Sequence, residues 1–209
     1  MVSSNPCDQI DRPKATASTP RGLSADEIRR LIAIVPDTKV GLRDKAIVLT
    51  LVFTGRRRSE VLGLTAGNIV TEGSTVFYIY RGKGGKTGRR ELPLPAFQAI
   101  QQSLVAWGKN LESMAPEESL WPSGVNRGLT SGTFYGHLQR YLKQAGLPPS
   151  GVHIFRHSAA KLRRDVGESV ESVSSFLDHS SLAVTSVYLK RLEGQEDKSW
   201  SKVAEAIGL

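Results

Sequence analysis

Residues 74–95 read STVFYIYRGKGGKTGRRELPLP, and this stretch decides the fold class. The run from Ser74 to Arg81 is aromatic and β-branched, which is strand composition. A Gly/Lys-rich tip then frees the backbone for a tight turn, and a second short strand closes on Pro93 and Pro95. On both sides of this hairpin, apolar residues recur at helical spacing instead of alternating. The expected class is mainly α with one small antiparallel β-hairpin sheet (α+β), inserted after three helices.

Upstream of the hairpin, Ser24 and Glu27 form a capping-box signature, and Ile28, Leu31, Ile32 and Val35 follow on one helical face. LRDKAIVLTLVFTG (42–55) reads as a largely buried second helix that ends near Gly55, and RSEVLGL (58–64) as a short third. Downstream, AFQAIQQSLVAWGKNL (96–111) returns to helix and LWPSGVNRG (120–128) is a loop. TSGTFYGHLQRYLKQAG (130–146) is helical, with Gly146 as its C-cap. Three more helices are expected over 153–166, 170–177 and 181–189, and an amphipathic one over 197–209. Residues 1–23 are rich in Pro, Ser and Thr, without apolar periodicity. They read as a linker or tail, leaving one domain over 24–209.

The 209 residues are 39% hydrophobic and carry a formal charge of +8. No apolar run approaches the roughly 18 residues of a spanning helix, and the N-terminus lacks the apolar stretch of a secretory signal. The single cysteine, Cys7, supports neither a disulfide framework nor a cysteine metal site. These features point to an intracellular protein. The basic excess points to a polyanionic partner, and nucleic acid is the usual one.

Three motifs carry candidate chemistry. In TGRRRSEVLGL (54–64), neighbouring helical side chains point about 100° apart, so one arginine of the three can face a site. Arg57 is the central one, while Arg56 and Arg58 are expected on the surface or at a backbone. The hairpin tip RGKGGKTGRR (81–90) could face phosphate, although the Walker spacing is absent and an ordinary exposed turn would look the same. In HIFRH (153–157), His153 and Arg156 share one helix face, a pairing suited to phosphate, and His157 packs or caps. His153 and His157 alone resemble half of a zinc site. The HExxH pattern and further ligands are missing, so no metal is expected.

Taken in order, Arg57, a hairpin lysine, His153-x-x-Arg156, His179 and Tyr188 resemble the catalytic domain of the tyrosine recombinases, or phage integrase family. The resemblance covers about residues 20–192. It implies that family's catalytic-domain fold and a site-specific recombinase that cuts and rejoins double-stranded DNA. Tyr188 would attack a phosphodiester, giving a 3′-phosphotyrosine and a free 5′ hydroxyl. Arg57 and Arg156 would offset the charge on the phosphate, His153 would accept the phenolic proton, and His179 would hydrogen-bond a phosphate oxygen. Lys83 or Lys86 would protonate the leaving oxygen, Lys83 being preferred because RGKG directly continues the strand. Glu60 would orient its neighbours. Arg56, Arg58, Arg81 and Arg89 are expected at the DNA. The covalent bond retains the phosphodiester's free energy, so no cofactor is expected.

The resemblance further implies a homotetramer on DNA, no membrane partner, and a cytoplasmic protein of bacterial, phage or mobile-element origin that joins the nucleoid when bound. An absent N-terminal DNA-clamping domain would precede residue 24. A type IB topoisomerase, or a non-catalytic DNA-binding protein on the same fold, are the alternatives. Two departures stand out. The hairpin turn is about two residues longer than usual, and Asp178 stands where the family usually has glycine.

Overall fold

A computed structural model describes residues 21–82, 85, 87–124 and 128–179. Their helices are α1 (Ala25–Ala33), α2 (Lys39–Thr54), α3 (Arg58–Leu62), α4 (Leu94–Ala106), α5 (Ser131–Gln144), α6 (His153–Asp165) and α7 (Val170–Phe176). Between α3 and α4 lies a sheet of β1 (Ile69–Glu72), β2 (Thr75–Arg81) and β3 (Thr87–Glu91). Short 3-10 turns occupy Ala66–Asn68 and Leu111–Ser113. No described helix is long and apolar enough to cross a membrane.

The helix boundaries follow local chemistry. The Ser24 side chain accepts from the Glu27 amide at 3.2 Å while the Glu27 carboxylate accepts from the Ser24 amide at 2.9 Å, so two otherwise orphaned donors are satisfied. Thr38 caps α2 through the Gly41 amide at 3.1 Å. At its other end α2 stops on Gly55, whose φ of 61° lies in the left-handed region that glycine enters without strain. Leu23, assigned to the tail by its sequence, is fully buried, and its amide donates to Ser158 Oγ at 2.8 Å.

The sheet is an antiparallel meander in the order β1-β2-β3. The expected hairpin is β2–β3, and β1 adds a third strand across the Gly73 turn, where φ is 59°. Tyr78 and Tyr80, two residues apart on β2, both turn inward and join the helical core, with ring centroids 5.5 Å apart.

Helix α2 is the central element. It packs against α4 and α6, and Ile47, Leu51, Ile100, Phe134, Leu138 and Phe155 form the core around it. Trp121 is fully buried and its Nε1 donates to the Val61 carbonyl at 2.6 Å, fastening α3 to the core. Asp44 is also fully buried. It accepts from Arg43 Nη2 at 2.9 Å and from Tyr141 at 3.0 Å, and lies 2.7 Å from His137 Nδ1. Arg43 in turn donates to the Pro122 carbonyl at 2.8 Å. A buried charge of this kind persists only when paired and hydrogen-bonded. A small second apolar cluster of Ala160, Val173 and Leu177 seats α7 on α6.

Candidate active site

The site begins where α2 ends. Gly55 turns the chain, and Arg56 and Arg57 lead into α3. The Arg57 amide donates to Glu60 Oε2 at 2.9 Å, and its Nη1 donates to Glu60 Oε1 at 2.8 Å. One buried carboxylate thus caps α3 and holds the arginine, whose side chain remains 34% exposed. Arg156 approaches from the first turn of α6. Its Nη1 donates to the Gly55 carbonyl at 2.7 Å, and its Nη2 to the Leu177 carbonyl at 2.6 Å. The planar fork therefore ties the arginine turn to the end of α7. Burial above all, then the charges of Arg57 and Arg56, lowers its pKa to about 10, so the guanidinium keeps its charge at neutral pH.

His179 lies three residues past the end of α7, with its amide bonded to the Ser174 carbonyl at 3.1 Å. The ring is half-buried. Burial, then the nearby positive charges of Arg156 and Arg57, push its pKa down, while Asp178 pulls it back. Arg57, Arg156 and His179 thus share one electrostatic neighbourhood although they come from three separate segments. His153, on the first turn of α6, is exposed. His157 is half-buried beneath it. Its pKa is pushed down to about 4, mainly by burial and then by His153 and Arg156. Tyr188, Lys83 and Lys86 lie outside the described residues, as do the helices expected over 181–189 and 197–209.

Of the arginines expected at the DNA, Arg58, Arg81 and Arg89 are exposed. Arg89 also pairs with Glu72 at 2.5 Å and lies 4.0 Å from the centroid of Phe77. Arg56, by contrast, is fully buried instead of lying on the surface. Its Nη1 donates to Asp178, its Nη2 to the Phe176 carbonyl and its Nε to the Thr54 carbonyl. Its plane stacks 4.6 Å from the Tyr80 ring centroid. A buried guanidinium needs a counter-charge, and Asp178 supplies it.

Asp178 also accepts from the Tyr80 hydroxyl and, at 2.8 Å, from Arg90 Nη2. These partners were not legible in the sequence. The available signal was Asp178 itself, a carboxylate in place of the family's usual glycine. It is the one non-glycine residue of positive φ among the described residues, at 51°, a conformation Asp tolerates better than most side chains.

The chain resembles known proteins over most of its length. Residues 21–194 match the model of the phage integrase family. The tyrosine recombinase XerD of Shewanella oneidensis is 30% identical over 190 residues, spanning 90% of this chain and 63% of that protein. The tyrosine recombinase XerA of Thermococcus onnurineus is 29% identical over 185 residues, spanning 88% and 62%. The chain thus spans about three-fifths of the length of these relatives. Among solved structures, the XerH site-specific recombinase in a post-cleavage complex with palindromic difH superposes with a TM-score of 0.71 at 23% identity, over 95% of this chain and 55% of that one. The crystal structure of XerA recombinase gives 0.65 at 22%, over 88% and 64%. At these identities the structural likeness supports the fold.

Proposed function

The chain belongs to the phage integrase family of tyrosine recombinases, and from that premise we propose that it carries the strand-transfer chemistry of a site-specific DNA recombinase. The observation that carries this reading is the convergence of Arg57, Arg156 and His179 around the Gly55 turn. A phosphodiester repels an incoming nucleophile. Two guanidinium groups at its non-bridging oxygens offset that charge, and more strongly as it builds in the transition state. Glu60 fixes Arg57, and the Gly55 and Leu177 carbonyls fix Arg156, so neither has to be ordered during the reaction.

Tyr188 attacks the phosphorus. Its phenol is scarcely ionised at neutral pH, so its proton leaves during attack, and His153 accepts it. A hairpin lysine, Lys83 or Lys86, protonates the departing 5′ oxygen, while His179 hydrogen-bonds a phosphate oxygen. The 3′-phosphotyrosine keeps the free energy of the ester, so a hydroxyl from the same or another strand reseals it without a further energy source. Arg58, Arg81 and Arg89 contact the DNA backbone. Four protomers acting on two duplexes would exchange strands, and the protein would act in the cytoplasm, at the nucleoid when bound.

A duplex nicked beside the cut site tests this reading, because the short fragment bearing the free 5′ hydroxyl diffuses away and its loss traps the covalent complex. The wild-type chain forms a protein–DNA adduct that maps to Tyr188. Tyr188→Phe forms none while binding DNA as before. Equal adduct from both proteins would overturn the assignment, and relaxation of supercoils without strand exchange would point to topoisomerase chemistry instead.

A further inference from the structure

The end of α7, a seven-residue helix, is held by side chains from three other elements. The Asp178 and His179 amides close its last turn on the Ser175 and Ser174 carbonyls, each at 3.1 Å, and arginines add to them. Ser175 O accepts from Arg90 at 3.2 Å, Phe176 O from Arg56, and Leu177 O from Arg156 at 2.6 Å. These arginines come from β3, the α2–α3 turn and α6. Cations at a helix C-terminus are electrostatically favoured, but three of them crowd one another. Asp178 is the anion among them, and it binds two of the three directly, Arg56 and Arg90. It also accepts from Tyr80 on β2.

Tyr80 reaches Asp178 because its cross-strand neighbour is Gly88. A Cβ on Gly88 would lie 2.3 Å from the Tyr80 Cζ, so the ring lies flat across that glycine. Asp178, the residue before His179, therefore joins Arg56, the residue before Arg57, to both strands that flank the hairpin tip.

We infer that Asp178 is a positioning residue of the reaction centre: through Arg56, Arg90 and Tyr80 it sets the placement of His179 and of the β2–β3 hairpin relative to Arg57 and Arg156. The inference rests on the strand-transfer reading above. It also assigns Arg56 a role distinct from that of Arg57. Arg56 is the inward anchor whose charge Asp178 neutralises, which leaves the cationic field at the site's mouth to Arg57 and Arg156. Burial pushes the Asp178 carboxyl up, but the hydrogen bonds from Tyr80 and Arg56 and the charge of Arg56 outweigh it and hold it below the ordinary carboxylate range. The anchor is therefore charged at neutral pH.

Asp178→Asn tests the inference with little disturbance of shape, since Asn also tolerates the left-handed backbone. Four measurements are made on wild type, Asp178→Asn, Arg56→Met and the double variant: thermal midpoint, DNA affinity, adduct formation on the nicked duplex, and the His179 titration by NMR. Asp178→Asn is expected to bind DNA within about twofold of wild type and to form adduct at least tenfold more slowly. His179 should titrate at lower pH in that variant, because the anion facing it is gone while Arg56, Arg57 and Arg156 remain. Arg56→Met should slow adduct formation similarly, and adding Asp178→Asn to it should cost less than a further threefold. As an independent arm, Gly88→Ala should displace Tyr80 and also slow adduct formation.

A lowered thermal midpoint with unchanged adduct rate and unchanged His179 titration would make Asp178 merely structural and overturn the inference. Independent, multiplying losses in the double variant would overturn the coupling through Arg56. Absence of adduct from wild type would instead strike the strand-transfer reading, and the His179 titration would still report on the anchor.

Discussion

Gly55→Ala puts the seating of α7 on the arginine turn to a quantitative test. Gly55 has a φ of 61°, and a Cβ there would stand 2.6 Å from Phe176 Cε1 and 2.9 Å from Leu177 Cδ2. Two costs follow. An L-residue in the left-handed region loses roughly 1–2 kcal/mol, and forcing a methyl group into a packed contact adds about 1–3 kcal/mol. Gly146→Ala separates them. Gly146 has nearly the same backbone, φ 66°, with nothing within 4 Å of its Cβ position, so it carries the conformational cost alone. Urea denaturation followed by tryptophan fluorescence should show Gly146→Ala destabilised by about 1–2 kcal/mol and Gly55→Ala by about 2–5 kcal/mol, with unchanged m-values. The folded Gly55→Ala protein should also form DNA adduct more slowly, because the methyl pushes Phe176 and Leu177, and His179 after them, away from Arg57. Equal destabilisation of the two variants, within about 0.5 kcal/mol, would refute the seating of α7 against Gly55.

Three other outcomes are expected. Arg156→Lys cannot fork between the Gly55 and Leu177 carbonyls and should lose roughly 2–3 kcal/mol in urea denaturation together with adduct formation, although the charge is retained. Asp44→Asn strands the buried Arg43 guanidinium and should cost roughly 3–5 kcal/mol. Arg43→Met combined with Asp44→Leu should cost less than Asp44→Asn, because both charges leave together. His157 has its folded pKa lowered to about 4, chiefly by burial. The unfolded chain therefore takes up the proton first, so this contribution is full above about pH 6.5 and is lost as the pH falls towards 4. The urea midpoint of His157→Gln should accordingly vary less between pH 6.5 and 4 than that of wild type.

Features set by neighbours in the chain were legible before the structure. The Ser24–Glu27 capping box, the 3.6-residue apolar period of α1 and the aromatic strand β2 are of that kind. Strand β1 was not, because Ile69–Glu72 is short, half of it is exposed, and it gains strand character only by pairing with β2. The three arginines at 56–58 show the same limit. Composition cannot distinguish them. What buries Arg56 is a carboxylate 122 positions away, and no local pattern encodes that partner. Asp178 was conspicuous as a departure from the family's pattern, but its meaning appeared only with Arg56, Tyr80 and Arg90 around it. Tyr188, Lys83 and Lys86 lie outside the described residues, and their roles rest on the family resemblance.

The three arginine bonds at the end of α7 reach back 120, 85 and 21 positions along the polypeptide. Contacts that close such large loops are slow to form. Residue 178 leaves the ribosome more than a hundred positions after Arg56, so during synthesis Arg56 waits without its anion. The cluster that links the arginine turn to the end of α7 thus closes only after more than a hundred intervening residues have been made, and a half-made chain carries Arg56 and Arg57 without it.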